Sequence, residues 1–223
     1  MSVHTAFWKD RLSIPAYRVS EAAEYADISP QTISAWGRHN SQKRAATNSR
    51  ASKLGLNFLE LIEVAIVAEL RREGVSLNRI RDARKYFSEA LDSRYPFALE
   101  KFKTDGVNIF LDFSDKEGRP LDDRLVAADE LGQLVWADFL QKSLREFWYD
   151  DGLAVRWYVN GEDSKVVIDP RICFGSPSIE GVMTRAIKNE WANGVAIAEI
   201  AEDYSISTEV VVEALTFEKV MVD

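Results

Sequence analysis

From Tyr17 to Trp36 the chain reads YRVSEAAEYADISPQTISAW, two short apolar-periodic segments split by a few polar residues. Ser20 has the chemistry of a helix N-cap and Glu21 falls in the first turn, so a helix is expected from here to about Asp27. Ala22, Ala23 and Ala26 keep that helix thin enough for close packing. Ser29-Pro30 then offers a cap and a proline at the first position of a second helix, with Ile33 and Trp36 turned inward and Gly37 as its stop. The outward positions of that helix are Gln31, Thr32, Ser34 and Ala35, with Arg38 and His39 just beyond.

Further along, NFLELIEVAIVAELRREG repeats apolar residues at helical spacing, with Asn57 and Glu60 as a capping-box start and Gly74 as a stop. SLNRIRDARKYFSEAL continues as another helix capped by Ser76, and the pair should bury Leu61, Val64, Ala65, Ala68, Ile80, Ala83 and Phe87. The texture then changes. LEKFKTDGVNIFLDF places two β-rich runs around Asp105-Gly106, LVWADFLQKSLREFWY reads as a helix, and GLAVRWYVNGEDSKVVIDP as strands around Asn160-Gly161. The aromatics of this region, Phe139, Phe147, Trp148, Tyr149, Trp157 and Tyr158, are expected in a core or an interface. A turn-rich apolar stretch, VVIDPRICFGSPSIEG, leads into three helical segments, VMTRAIKNEWANG, AIAEIAEDYS and STEVVVEALTFE, punctuated at Gly194 and at 205–207. Within it, Arg171 is expected to anchor a turn by pairing with a carboxylate.

Charge adds what periodicity cannot. The chain carries a formal net charge of −8, yet residues 1–56 hold eight Lys/Arg against four acids, and Gly37–Asn57 holds five Lys/Arg and no acid. An anionic protein thus keeps one local cationic segment, which can steer to phosphate where the whole surface would not. Two helices joined by a tight turn form a helix-turn-helix, whose second helix enters the major groove. Gln31, Thr32, Ser34, Ala35, Arg38 and His39 then face base edges, and Lys43, Arg44, Arg50 and Lys53 on a following loop or β-wing face phosphates.

Other chemistries find little footing. With 223 residues, 46% of them hydrophobic, the chain can fill one large or two small cores. One cysteine, Cys173, and two histidines, His4 and His39, preclude an internal disulfide or a His/Cys metal site within one chain. Oxygen-only Mg²⁺ sites stay open to the chain, but the expectation is no metal and no other cofactor. The carboxylate pairs Asp122-Asp123, Asp129-Glu130 and Asp150-Asp151 are adjacent, so they diverge and read as solvated faces. No Gly-rich phosphate loop and no Ser/His/Asp order stands out, and the expectation is a protein that is not an enzyme and has no catalytic residues. No apolar run nears the roughly 20 residues of a membrane span, and the start lacks a signal-peptide core, which points to the cytoplasm without membrane contact.

Two resemblances follow from these motifs. YRVSEAAEYADISPQTISAW, a basic wing, and LELIEVAIVAELRREGVSLNRIRDA, with Gly74, Ser76, Leu77 and Ile80 at the turn, resemble the MerR-type winged helix over roughly Tyr17 to Leu91. The long coiled coil and thiol ligands of the metal-sensing members are absent from the sequence. The C-terminal stretch resembles a small trihelical domain found in VapB-type antitoxins. Its entry pattern falls on Ile168, Asp169, Pro170, Arg171, Ile172, Phe174, Gly175, Pro177, Ile179 and Gly181, and its helix pattern on Glu199, Ile200, Ala201, Tyr204, Ile206, Ser207, Glu209 and Val211.

Together the resemblances imply a mainly α fold with a small α+β insert: a MerR-like winged helix domain over 1–93, a connecting α+β region over 94–163, and a trihelical helix-turn-helix-like domain over 164–223. They imply an antitoxin of a type II toxin-antitoxin system, a homodimer that neutralises a PIN-like ribonuclease toxin and represses its own operon by binding operator double-stranded DNA. The last helix carries Glu209, Glu213 and Glu218 and no Lys or Arg before Lys219, so it suits dimer or toxin contact better than DNA. The end, ALTFEKVMVD, differs from the Arg-bearing tails of many VapB antitoxins, so neutralisation through another surface is expected. The competing expectations are a MerR-like, ligand-responsive transcription regulator whose aromatic insert senses a small molecule, and a pure protein-interaction module.

Overall fold

The computed structural model describes residues 4–40, 55–103 and 144–221, and these are mostly helical with a small antiparallel sheet. They run α1 (His4–Ser13), α2 (Val19–Tyr25), α3 (Pro30–Asn40), α4 (Phe58–Arg72), α5 (Leu77–Ala90), a 3₁₀ turn (Pro96–Ala98), β1 (Phe147–Asp150), β2 (Leu153–Tyr158) and β3 (Val166–Ile168). A second 3₁₀ turn (Cys173–Gly175), β4 (Ser178–Ile179), β5 (Val182–Met183), α6 (Thr184–Ala192), α7 (Ile197–Tyr204) and α8 (Thr208–Phe217) complete them. The chain divides into two compact units, one comprising Lys9–Arg145 and Tyr149–Ala154, the other Met1–Trp8, Glu146–Trp148 and Val155–Asp223.

The first unit is built around α4. Its apolar residues surround most of the helix between Phe58 and Leu70, which makes it interior, and Phe58, Leu59, Leu61, Ile62, Val64, Ala65, Ile66, Val67, Ala68 and Leu70 are all buried. Its start is the expected capping box: the Asn57 side chain accepts from the Glu60 N–H (2.8 Å) while the Glu60 carboxylate accepts from the Asn57 N–H (3.0 Å). Gly74, at φ +90°, turns the chain into α5, whose cap Ser76 accepts from the Arg79 N–H. Phe87 of α5 meets Phe97 and Phe102 edge-on at ring distances of 6.0 and 5.0 Å, and each such buried ring contributes about 1.5–3 kcal/mol. The buried set expected for the helix pair, from Leu61 to Phe87, is buried throughout.

The second unit sets the sheet beside α6, α7 and α8. Strand order follows chain order, and β2 to β5 pair antiparallel with Trp157 opposite Ile168, Val166 opposite Ile179 and Ile179 opposite Val182. The β2–β3 turn falls at Asn160-Gly161, both at positive φ, as its sequence anticipates. Val166, Ile179, Ile187, Ile200, Val210, Val211, Ala214 and Leu215 form one core.

Three expectations need correcting. α2 begins at Val19 with Arg18 as its N-cap, because Glu21 reaches back to accept from the Arg18 N–H (2.8 Å) and Ser20 lies inside the helix. α3 does not stop at Gly37 but continues to Asn40, since a glycine at helical φ costs only about 1 kcal/mol against alanine. Phe147–Asp150, read as the tail of a helix, is strand β1, where alternate burial of Phe147 and exposure of Trp148 suit a pleated edge. The hairpin at Asp105-Gly106, Phe139 and the carboxylate pairs at 122–123 and 129–130 lie outside the described residues.

Candidate nucleic-acid interface

α2 and α3 form a closed excursion from the chain. Tyr17, just before α2, pairs with Leu56, just before α4, through two backbone hydrogen bonds of 3.0 Å, so the ends of the segment they bracket meet. Ala22, Ala23 and Ala26 are buried, and Asp27 at φ +48° makes the left-handed step that turns α2 toward α3. Ser29 caps α3, its Oγ accepting from the Thr32 N–H (3.2 Å) and lying 2.8 Å from the Thr32 hydroxyl.

Two arginines fix this pair from behind. Arg72 of α4 donates to the Ala26 carbonyl and Arg81 of α5 to the Ala35 carbonyl, both at 2.7 Å, satisfying carbonyls at the end of α2 and within α3. Ile33 and Trp36 point into the unit, where Trp36 stacks on Phe97 at 6.5 Å and lies beneath the Arg84 guanidinium at 5.8 Å. Arg84 in turn grips Glu63 of α4, with Nε 3.1 and 3.0 Å from its two oxygens and Nη2 2.7 Å from one. Burial pushes the Glu63 carboxyl from its ordinary 4.5 up to about 7, against the opposing pull of Arg84. Sequence reading misses this pair because its partners are 21 residues apart and each sits among ordinary helical charges.

The outward side of α3 presents Gln31 and Ser34 exposed, with Thr32 and Ala35 half-buried. These positions share a helix face, although the Thr32 hydroxyl is also engaged by Ser29. Arg38 and His39 belong to α3, but their side chains lie outside the description, as do Lys43, Arg44, Arg50 and Lys53 altogether. Beside Trp36 a half-open cavity of about 290 Å³ is lined by Arg81, Asp82, Arg84, Lys85, Ser88 and Glu89 of α5.

In the second unit the turn after β3 is organised by Asp169, whose side chain is fully buried. It accepts from Arg171 through Nη2 (2.7 Å), Nε and the backbone N–H (2.9 Å), and from Arg156 Nε (3.0 Å). Burial alone would raise this carboxyl, but hydrogen bonds from Arg171 and Arg156 outweigh it and hold it below its usual value. Arg171 thus anchors the turn as expected, and its guanidinium also lies 5.1 Å over the Trp8 ring. Arg156 is the partner that the motif does not reveal.

Among the described residues no group of His, Cys, Asp and Glu is placed to hold a metal ion, and no helix is long and apolar enough to cross a membrane. Asp150 and Asp151 are exposed, and Asp151 pairs with Lys9, whose hydrogen bond draws the carboxyl below its usual value.

Comparison with known proteins places the C-terminal part first. Residues 166–217 match a family described as "Protein of unknown function (DUF433)", a stretch running from β3 to the end of α8. Over nearly its whole length, the chain is also similar to a Mycobacterium tuberculosis protein named "Putative antitoxin VapB45", with 25% identity covering 92% of this chain and 94% of the relative. The crystal structure of Rv2018 from Mycobacterium tuberculosis shares the fold, with a TM-score of 0.74 over 92% of this chain and 99% of that one at 21% identity.

Proposed function

We propose that this chain is the antitoxin of a type II toxin-antitoxin system. On this reading it binds and neutralises a PIN-like ribonuclease toxin in the cytoplasm, and as a homodimer it represses its own operon through the MerR-like winged helix at its N-terminus. The observation that carries the toxin half is the end-to-end similarity to VapB45, which spans both units. The DNA half rests on α3, which is fixed from behind by Arg81 and Trp36 and offers Gln31 and Ser34 to solvent. Hydrogen-bonding side chains on a rigid helix suit major-groove readout, and the cationic stretch that follows in sequence suits phosphate. On this reading the protein acts by binding and not by catalysis.

Co-expression with the neighbouring open reading frame tests the toxin half. A stoichiometric complex that silences a ribonuclease is expected, and its absence overturns the antitoxin reading. The DNA half is tested by salt titration of operator binding. Replacing Arg44 and Arg50 by Ala should flatten the slope by about one phosphate each across all sequences, and Gln31→Ala should relax preference at one base pair. Unchanged binding in all three variants overturns it.

The cavity beside Trp36 favours one second reading, a ligand-responsive regulator without a toxin. Its ligand would enter next to the base-reading helix, and a small molecule that shifts operator affinity with no toxin present would select it.

A further inference from the structure

Glu63 lies among the apolar residues of α4 and is 1% exposed, so its carboxylate reaches only what packs directly upon it. It accepts from Arg84 of α5 through Nε and Nη2, at 2.7 to 3.1 Å, and from the backbone N–H of Phe97. The same two residues meet Trp36 of α3. The Phe97 ring stacks on the indole at 6.5 Å with 15° between the planes, and the Arg84 guanidinium lies 5.8 Å from its centroid. One buried carboxylate therefore holds both groups on which α3 rests its inward side chain.

A carboxylate enclosed in this way adds little to stability over an apolar side chain of similar size. What it supplies is direction. When ionised, it takes charge-assisted bonds that fix the plane of the guanidinium, and when protonated, one oxygen becomes a donor facing donors and the grip loosens. The charged groups acting on it are Arg84 and, one turn back on α4, Glu60, whose carboxylate lies 4.0 Å from Arg94. The other packed elements bring apolar side chains: Ala22 and Ala23 from α2, Ile33 and Trp36 from α3, Ile80, Ala83 and Phe87 from α5, and Pro96, Phe97 and Ala98 from the 3₁₀ turn. On α2, Glu21 is engaged at the cap and Glu24 is exposed. With its carboxyl lifted to about 7, both forms of Glu63 are populated near neutrality.

We infer that Glu63 is a positioning residue for operator reading: ionised, it holds Arg84 and Phe97 so that Trp36 sets α3 in the posture that offers Gln31 and Ser34 to base edges, and neutral, it releases that posture. The inference rests on the DNA half of the proposed function.

The test measures binding of the full chain to duplex DNA taken from immediately upstream of its own coding sequence, between pH 6 and 8.5. Wild type is compared with Glu63→Gln and with the double variant Glu63→Leu, Arg84→Met, which keeps the interior filled and removes the link. At pH 8.5 Glu63→Gln should bind about 5-fold more weakly than wild type, because its competent posture is only partly populated, and at pH 6 the two should agree within about twofold. The double variant should bind weakly at both ends of the range. Loss of a buried negative charge would by itself strengthen DNA binding, so the expected weakening has the opposite sign to a simple charge effect. His39 titrates in wild type and in Glu63→Gln alike and drops out of their ratio. Parallel pH profiles for these two, or tighter binding by Glu63→Gln at pH 8.5, overturn the positioning role and leave the DNA reading standing. If wild type binds this DNA no better than unrelated duplex, both fall.

Discussion

Among the described residues each unit buries one carboxylate, and the two are treated in opposite ways. Glu63 sits inside the first unit with the Arg84 guanidinium and the Phe97 backbone N–H, and burial wins, lifting its carboxyl to about 7. Asp169 is also shielded from solvent in the second unit, but nearer the surface and behind more exposed partners; it accepts from two arginines and a backbone N–H, and the hydrogen bonds win. The sign is the balance of two effects, the loss of solvent around the carboxylate and the donors converging on it, and both differ between the sites. Side-chain exposure of the partners differs too, 12% for Arg84 against 30% and 31% for Arg156 and Arg171.

The comparison is tested most severely by breaking each pair. Glu63→Ala should destabilise the first unit by about 3–5 kcal/mol in urea melts, because it strands a nearly buried guanidinium, whereas Glu63→Leu with Arg84→Met should cost much less. Asp169→Ala should cost less, about 2–3 kcal/mol, since water reaches both stranded arginines. A larger loss at Asp169 than at Glu63 would show that partner exposure is not what sets the cost.

Acid should separate the units in direction. Glu63 binds its proton more tightly folded than unfolded, so its contribution favours folding below 4.5 and is lost as pH rises toward about 7. Asp169 binds its proton less tightly folded, so its contribution is complete above the ordinary carboxylate value of 3.8 and is lost as pH falls through its lower native value. Amide exchange of α4 should therefore slow from pH 7 to 5 relative to the Glu63→Gln variant, while β3 amides show no such gain over Asp169→Asn.

The helix caps sharpen the contrast least. Asn57→Ala should cost about 1–2 kcal/mol, because Asn57 is buried and its Nδ2 also donates to the Tyr95 hydroxyl (2.9 Å). Ser207→Ala, at an exposed cap with one long bond of 3.4 Å to the Val210 N–H, should cost about 0.5–1 kcal/mol by thermal denaturation.

Features decided by neighbours a few residues away were legible in the sequence. Ser29-Pro30, the Asn57/Glu60 box, Ser76, Gly74, the Asn160-Gly161 turn and the three C-terminal helices all stand where local chemistry puts them. Features decided by distant partners were not. Arg84 is recruited by a glutamate on the preceding helix, and Arg156 reaches Asp169 across the sheet. β1 was lost because Phe147, Trp148 and Tyr149 extend a helical spacing that only strand pairing overrides. The helix α1 has no apolar stripe to announce it. Of the candidate interface, Gln31 and Ser34 were legible as outward from the helical period alone, while the arginines that clasp α2 and α3 from behind were not. Phe174 was legible as part of a motif but not as an exposed ring, because nothing local distinguishes a displayed aromatic from a buried one.

The buried members of the core that gathers Val166, Ile179, Ile187, Ile200, Val211 and Leu215 all lie within the stretch 166–217 matched by the family model, with Val220 packed against it from just beyond. A segment that supplies nearly all of its own core can be copied and spliced behind other partners in evolution with little redesign beyond the β2 strand that pairs with its first strand. Recombination would then act on such a piece as a cassette, with its ends near Val166 and Phe217 as the natural seams.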